Sequence, residues 1–160
     1  MARIMTTLPA SSWPSIDTEE IRIAAATDAV TAGGRARRFA EIMGFTRPQQ
    51  FEIATAVSEA ATNIAKFAGE GRIVLRRFAG GLEFSAEDRG PGIADPASAL
   101  RDGFSEGRQL GPDDGLHGRR GLGSGLPAIV RLMDYLSIAN REPHGLMLRA
   151  VKYLSNNSGK

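Results

Sequence analysis

The sequence has 160 residues, 42% of them apolar, which suits one domain able to bury its own core without disulfide or metal support. It contains no cysteine, which excludes disulfide frameworks, cysteine-ligated zinc and thiol nucleophiles, and its formal charge of +2 is not gathered into the basic stripe of a nucleic-acid binder. No segment reaches the roughly 18 consecutive apolar residues of a membrane span, so a cytoplasmic protein is expected.

Residues 1–16 carry Pro9 and Pro14 and lack the apolar run of a signal peptide, so they are expected to form a flexible arm. One domain is expected over residues 17–154, followed by a flexible polar tail over 155–160. Ile21 to Ala24 alternates in the manner of a first strand. From Asp28 to Met43 the apolar spacing favours a helix stopped by Gly44. A second helix opens near Arg47-Pro48, where proline is tolerated in a first turn, and runs to about Phe67, with Gly69 ending it. Arg72–Phe78 and Gly81–Ala86 read as a hairpin turned at Ala79-Gly80-Gly81. Pro96 to Leu100 suggests a short helix. Asp102 to Arg120 is a charged, glycine-rich stretch with almost no apolar residue, the kind of long loop that is usually functional or disordered. Helix resumes near Gly123 and runs to Met133. Tyr135–Ala139 and Leu146–Val151 form the last strand pair, turned by residues 141–145. Early helices followed by strands, with a helix near the end, suggest a sheet covered by helices on one face.

Three local patterns carry chemistry. Glu59 and Asn63 lie i, i+4 on the second helix, so both leave one face of a stretch otherwise made of Ala56, Val57, Ala60, Ala61 and Ile64. A carboxylate and a carboxamide among apolar neighbours are costly if buried unpaired. By themselves they suit a solvated helix face better than a base beside a metal-binding amide. Asp88-Arg89-Gly90-Pro91-Gly92 follows a strand directly and forces a sharp turn, which lets backbone approach a ligand while the aspartate points into the same pocket. Taken alone it is equally an ordinary strand-ending turn. Gly121-Leu122-Gly123-Ser124-Gly125-Leu126 leads into a helix, where N–H groups free of side-chain bulk suit phosphate. It is neither a Walker loop, since none of Lys66, Lys152 and Lys160 completes a Gly-Lys-Ser/Thr ending, nor a Rossmann fingerprint, since its spacing is G-x-G-x-G after a polar loop.

In this order and spacing the three patterns together resemble the GHKL ATPases (gyrase, Hsp90, histidine kinase, MutL), which share the Bergerat nucleotide fold. Within that superfamily the chain is similar to the anti-sigma-factor serine/threonine kinases, most of all the RsbT type. The likeness runs from about Ile21 to Val151 and is strongest over residues 56–63, 86–93 and 121–127 and at Arg131-Leu132-Met133-Asp134. It implies an α+β two-layer sandwich with a mixed, mostly antiparallel sheet and helices on one face, and it implies ATP/ADP and Mg²⁺ as cofactors. Carried over by position, Asn63 coordinates Mg²⁺ and Glu59 acts as or orients the base for the incoming hydroxyl. Asp88 accepts the adenine amino group, with Gly90 and Gly92 making room for the purine. Gly121, Gly123 and Gly125 hold phosphate oxygens, with Ser124 in the same run. The stretch from Asp102 to Arg120 becomes the lid over ATP, longer and more charged than is usual in the RsbT type. Lys66 and Arg120 are further candidates for phosphate contact, although each equally suits a solvated surface position.

One domain leaves no room for the dimerisation helices of a sensor kinase or the transducer domain of gyrase. The resemblance therefore implies a kinase that phosphorylates a STAS-domain antagonist and switches partners. It would then act on a sigma factor, either through a metal-dependent phosphatase or by binding the sigma factor itself. The rival expectations are a non-catalytic nucleotide-binding module that regulates by docking alone and a free-standing ATPase.

Overall fold

The sheet is set by alternation of apolar and polar residues. In the computed structural model, which describes residues 3–4, 17–94 and 120–155 (backbone alone for 3–4 and 120–124), six strands form one sheet. They are β1 (Arg3–Ile4), β2 (Thr18–Ile23), β3 (Gly71–Phe78), β4 (Gly81–Asp88), β5 (Tyr135–Asn140) and β6 (Leu146–Tyr153), in the order β1-β5-β6-β4-β3-β2. From β2 to β5 every neighbour is antiparallel. β1 lies parallel to β5 with Arg3 opposite Tyr135, so the sheet is mixed and mostly antiparallel, as expected. It also means that two residues of the expected N-terminal arm pair with the sheet.

Period-2 alternation sends Ile73, Leu75, Leu82, Phe84, Ala86, Leu136, Ile138, Leu148 and Ala150 to one face, where all are buried in a single core. In register, Phe84 lies between Leu75 and Ala150, and Ala86 between Ile73 and Leu148. Above this face, among the described residues, lie α1 (Thr27–Met43), α2 (Arg47–Asn63) and α3 (Arg120–Leu132). α1 and α2 meet through a seam of small residues, Ala29, Ala32, Gly33, Ala36 and Ala40, which lets the two backbones come close. The opposite face of the sheet is polar. There Glu83 accepts from Arg149 at 2.7 Å and from Arg76 at 3.5 Å, and Arg72 reaches Glu87 at 2.8 Å and Glu20 at 3.1 Å.

Local chemistry fixes the helix ends. Thr46 opens α2 with a capping box: its hydroxyl accepts from Gln49 N at 3.3 Å, and Gln49 Oε1 accepts from Thr46 N at 3.1 Å. α2 was expected to continue to Phe67. The chain does keep winding, but the α-helix stops at Asn63 and a π-helical turn, Ile64–Ala68, takes over before Gly69. That wider turn re-aims Ile64, Phe67 and Ala68, and such turns recur at functional sites. β4 and β6 run two residues further than expected, to Asp88 and Tyr153, because charged residues end the apolar alternation before they end the strand. Lys152 shows why: it sits opposite Leu82, on the core face, and carries its ammonium out to Leu132 O at 2.6 Å and Glu52 at 2.6 Å.

Candidate functional site

The apolar stripe of α3 (Leu126, Ile129, Val130), continued by Met133 just past its end, packs into the core beside α2. This brings Gly125 against the polar pair of α2. A Cβ added at Gly125 would sit 3.0 Å from Glu59 Oε2 and 3.3 Å from Asn63 Nδ2, so only glycine lets the two helices meet here undisturbed. Asn63 is 9% exposed, and its Nδ2 is buried with no hydrogen-bond partner among the described residues. A buried amide left in that state costs about 1–3 kcal/mol unless a ligand completes it. Glu59 is only half-buried.

α3 begins at Arg120, about three residues before the expected start. Gly121, Gly123, Ser124 and Gly125 therefore lie within its opening turns rather than in a loop ahead of it. Each glycine disfavours helix by roughly 1 kcal/mol, which is why sequence alone starts the helix late. The leading N–H groups of an α-helix have no partner inside it, and here they include those of Arg120, Gly121 and Leu122. The side chains of Arg120 and Ser124 lie outside the described residues, as do the expected helix at Pro96–Leu100 and residues 102–119 of the expected lid.

At the end of β4, Asp88 turns into a cavity of about 510 Å³. One wall is Ala60, Ile64, Phe67 and Ala68, from α2 and the π-helical turn. The floor is Ala86 and Leu148, and the other wall is Pro91, Gly92, Ile93 and Ala94 with Leu146. Among the described residues, Asn63 and Asp88 are its polar side chains. The volume and the few convergent polar groups are those of a small-molecule site. Asp88 Oδ1 accepts from Gly90 N at 2.9 Å and from Leu146 N at 3.2 Å, which among the described residues leaves Oδ2 as the oxygen open to a ligand's donor. Burial pushes the Asp88 carboxyl above its ordinary value of 3.8, opposed by the two N–H groups and by Arg141.

Asn63 thus belongs to both halves of the site: it lines the cavity and touches the cluster of Glu59 and Gly125. Gly92 lines the cavity. Gly90 does not, and an added Cβ there would fall 2.8 Å from Ala68 Cβ, so its bareness serves the packing of the turn on the cavity wall. Lys66 is exposed, off the cavity lining, with its ammonium 5.9 Å from the centre of the Phe67 ring. Sequence reasoning missed the wall from Phe67, Ile93, Leu146 and Leu148, and it missed Asn140 and Arg141, whose side chains hold the turn after Asp88. Asn140 donates to and accepts from Ile93 across 47 positions, a pairing with no local trace in the sequence. A second cavity of about 640 Å³ lies behind Asp88, where Arg22 pairs with Glu70 and Arg72 with Glu87 and Glu20.

Comparison with known proteins agrees with this geometry. The sequence matches the histidine kinase-like ATPase domain family over residues 22–152. It is 38% identical over 138 residues to the serine/threonine-protein kinase RsbT of Bacillus subtilis (strain 168), an overlap covering 84% of this chain and 95% of that protein. Among solved structures, a chain of the SiaB–SiaC complex from Pseudomonas aeruginosa superposes with a TM-score of 0.59 at 15% identity, covering 86% of this chain and 89% of the other. That last likeness is one of fold.

Proposed function

We propose a function on one premise: this chain belongs to the histidine kinase-like ATPase family, within which it is a serine/threonine protein kinase. It transfers the γ-phosphoryl group of ATP to a hydroxyl of a STAS-domain antagonist. By changing partners it then controls a sigma factor, through a metal-dependent phosphatase or by direct docking, in the cytoplasm. Among the described residues no helix is long and apolar enough to cross a membrane. The observation that carries the reading is the cavity in which Asn63 and Asp88 converge and which Asn63 joins to Glu59 and to Gly125 of α3. The relation to RsbT along nearly its whole length supports protein phosphorylation, and the SiaB–SiaC complex supplies an analogy for a kinase-fold protein held by a protein partner.

In this reading Asp88 Oδ2 accepts from the exocyclic amino group of adenine. Guanine would present a carbonyl there, lone pair against carboxylate, and is disfavoured. The apolar walls enclose the purine. The leading N–H groups of α3, that of Gly121 among them, and the bare backbone at Gly123 and Gly125 face the phosphates. Ser124, Arg120 and Lys66 are candidates for the γ-phosphoryl end. A magnesium ion held mainly by phosphates needs only one or two protein oxygens; Asn63 Oδ1 would supply one, while Nδ2, which has no partner among the described residues, would donate to a phosphate oxygen. When bound, the ion supplies charge neutralisation between the phosphates. Glu59, one turn away, accepts the proton of the substrate hydroxyl. The hydroxyl oxygen bonds to the γ-phosphorus as the bond to the β–γ bridging oxygen breaks, and ADP leaves. Positioning and charge do most of the catalysis in such transfers.

The test is transfer of labelled phosphate from ATP to a purified STAS protein. Wild type labels it, and Glu59→Ala and Asn63→Ala do not. Nucleotide binding without any labelling would favour a docking module, and rapid hydrolysis without a protein acceptor would favour a free ATPase.

A further inference from the structure

After Asp88 the chain leaves the sheet. The β3–β4 ladder ends at Gly71 opposite Asp88 and the β4–β6 ladder at Glu87 opposite Met147, so no strand holds residues 91–94, although these form one wall of the cavity. What holds them is the turn between β5 and β6. Asn140, the last residue of β5, accepts from Ile93 N at 2.8 Å through Oδ1 and donates to Ile93 O at 2.5 Å through Nδ2. One primary amide thus satisfies both backbone groups of one residue, as a neighbouring strand would. Gly92 has φ +72, and a Cβ on it would come within 2.5 Å of Asn140 Oδ1, so glycine is what allows the approach.

The same turn holds Asp88. Arg141 Nη1 donates to Asp88 O at 2.9 Å, and Leu146 N donates to Asp88 Oδ1 at 3.2 Å. Gly145, at φ +116, packs its bare α-carbon where a Cβ would lie 2.2 Å from Asp88 O. Asn140 and Leu146 are themselves paired across the β5–β6 ladder. The carboxylate that meets the base and the apolar cover that lies over it are therefore both referenced to one rigid rung.

We propose that Asn140 is a positioning residue for nucleotide: by clamping Ile93 it fixes the Pro91–Ala94 wall at the distance from Asp88 that a purine requires. The inference rests on the nucleotide reading given above. Asn140 touches no nucleotide; it acts through Ile93. Asparagine is suited to this place because aspartate keeps the acceptor for Ile93 N but sets a second acceptor against Ile93 O, and alanine offers neither.

The experiment uses the full chain carrying Asn140→Asp or Asn140→Ala, with ATP and ADP binding measured by calorimetry. Both variants weaken ATP and ADP by the same factor, about tenfold, because the wall serves the base and not the phosphates. In the kinase assay KM for ATP rises while kcat stays within about twofold and KM for the protein substrate is unchanged. Preference for ATP over GTP narrows. Unchanged affinities in both variants overturn the proposal. So does a loss confined to ATP, and so does a fall of more than about 5 °C in the nucleotide-free melting temperature of both, which would make Asn140 merely a support of the fold. If Asn140→Ala does not fold, Asn140→Asp, which preserves the volume and one of the two bonds, decides alone. Failure of the wild-type chain to bind ATP or ADP sinks the nucleotide reading itself and this inference with it.

Discussion

The two ends of the site are built in opposite ways. Around Asp88 almost every polar group has a partner: Oδ1 takes two N–H groups, the main-chain oxygen takes Arg141, and Ile93 is bridged on both sides by Asn140. Around Asn63 the reverse holds among the described residues: its buried Nδ2 has no partner, a half-exposed Glu59 lies beside it, and Gly125 of α3 packs bare against both. One end is finished by the protein, so it can discriminate shape and hydrogen-bond pattern at little reorganisation. The other is unfinished, and a charged ligand that completed it would stabilise the fold.

Substitutions at the unfinished end should change chemistry more than binding of the base. Glu59→Ala is expected to lower kcat for phosphoryl transfer by about 10²–10⁴, the usual range for a lost general base, while calorimetry finds ADP affinity nearly unaltered. Loss of ADP binding in that variant would erase the contrast. Asp88→Asn tests the finished end. Its oxygen can still accept from Gly90 and Leu146, but an amide donor then faces the adenine amino group. ATP and ADP affinity should both fall about 100-fold, while thermal unfolding without nucleotide is unchanged or slightly raised, because a neutral group is cheaper to bury. Gly125→Ala sharpens the boundary between the ends. Alanine favours helix by about 1 kcal/mol, so the melting temperature should hold or rise, yet the new methyl crowds Glu59 and Asn63 and should cost about tenfold in Mg-ATP affinity, with adenosine binding spared.

The smallest expected effect is one of pH. Because burial raises the Asp88 pKa above 3.8, protonation begins at a less acid pH than for a free aspartate. Protonated, the carboxyl presents a donor to a donor. Nucleotide affinity should therefore decline as pH falls through the raised pKa, and in Asp88→Asn that decline should be missing. In the nucleotide-free protein the sign reverses. A carboxyl whose folded pKa is raised contributes stability that is complete below 3.8 and is lost as pH rises through the folded value.

The sequence makes the unfinished end readable because polar residues and glycines stand out against apolar stretches. Glu59 and Asn63 interrupt an alanine-rich helix, and Gly125 marks a place where a side chain would crowd both. Asp88 is readable for the same reason, and so are the strands whose alternation feeds the core. The rest depends on distance. Ile64-Ala65-Lys66-Phe67-Ala68 has the composition of ordinary helix, and only the packed structure shows it wound as a π-helical turn. Lys152 disguises a core-facing strand position because its charge is carried out of the core by a long stem. Asn140 looks like any residue before a turn, and its partner Ile93 belongs to a segment with no regular structure. The order of strands places Arg3 beside Tyr135, which no local pattern announces.

That order has a consequence for synthesis. β6, the last strand along the chain, lies between β5 and β4 near the middle of the sheet, and it supplies Leu146 and Leu148 to the cavity. A nascent chain halted before residue 146 has β2, β3 and β4 in hand but lacks the strand that joins them to β5. Competence to hold nucleotide thus arrives late and all at once, when translation has passed the centre of the sheet rather than one of its margins.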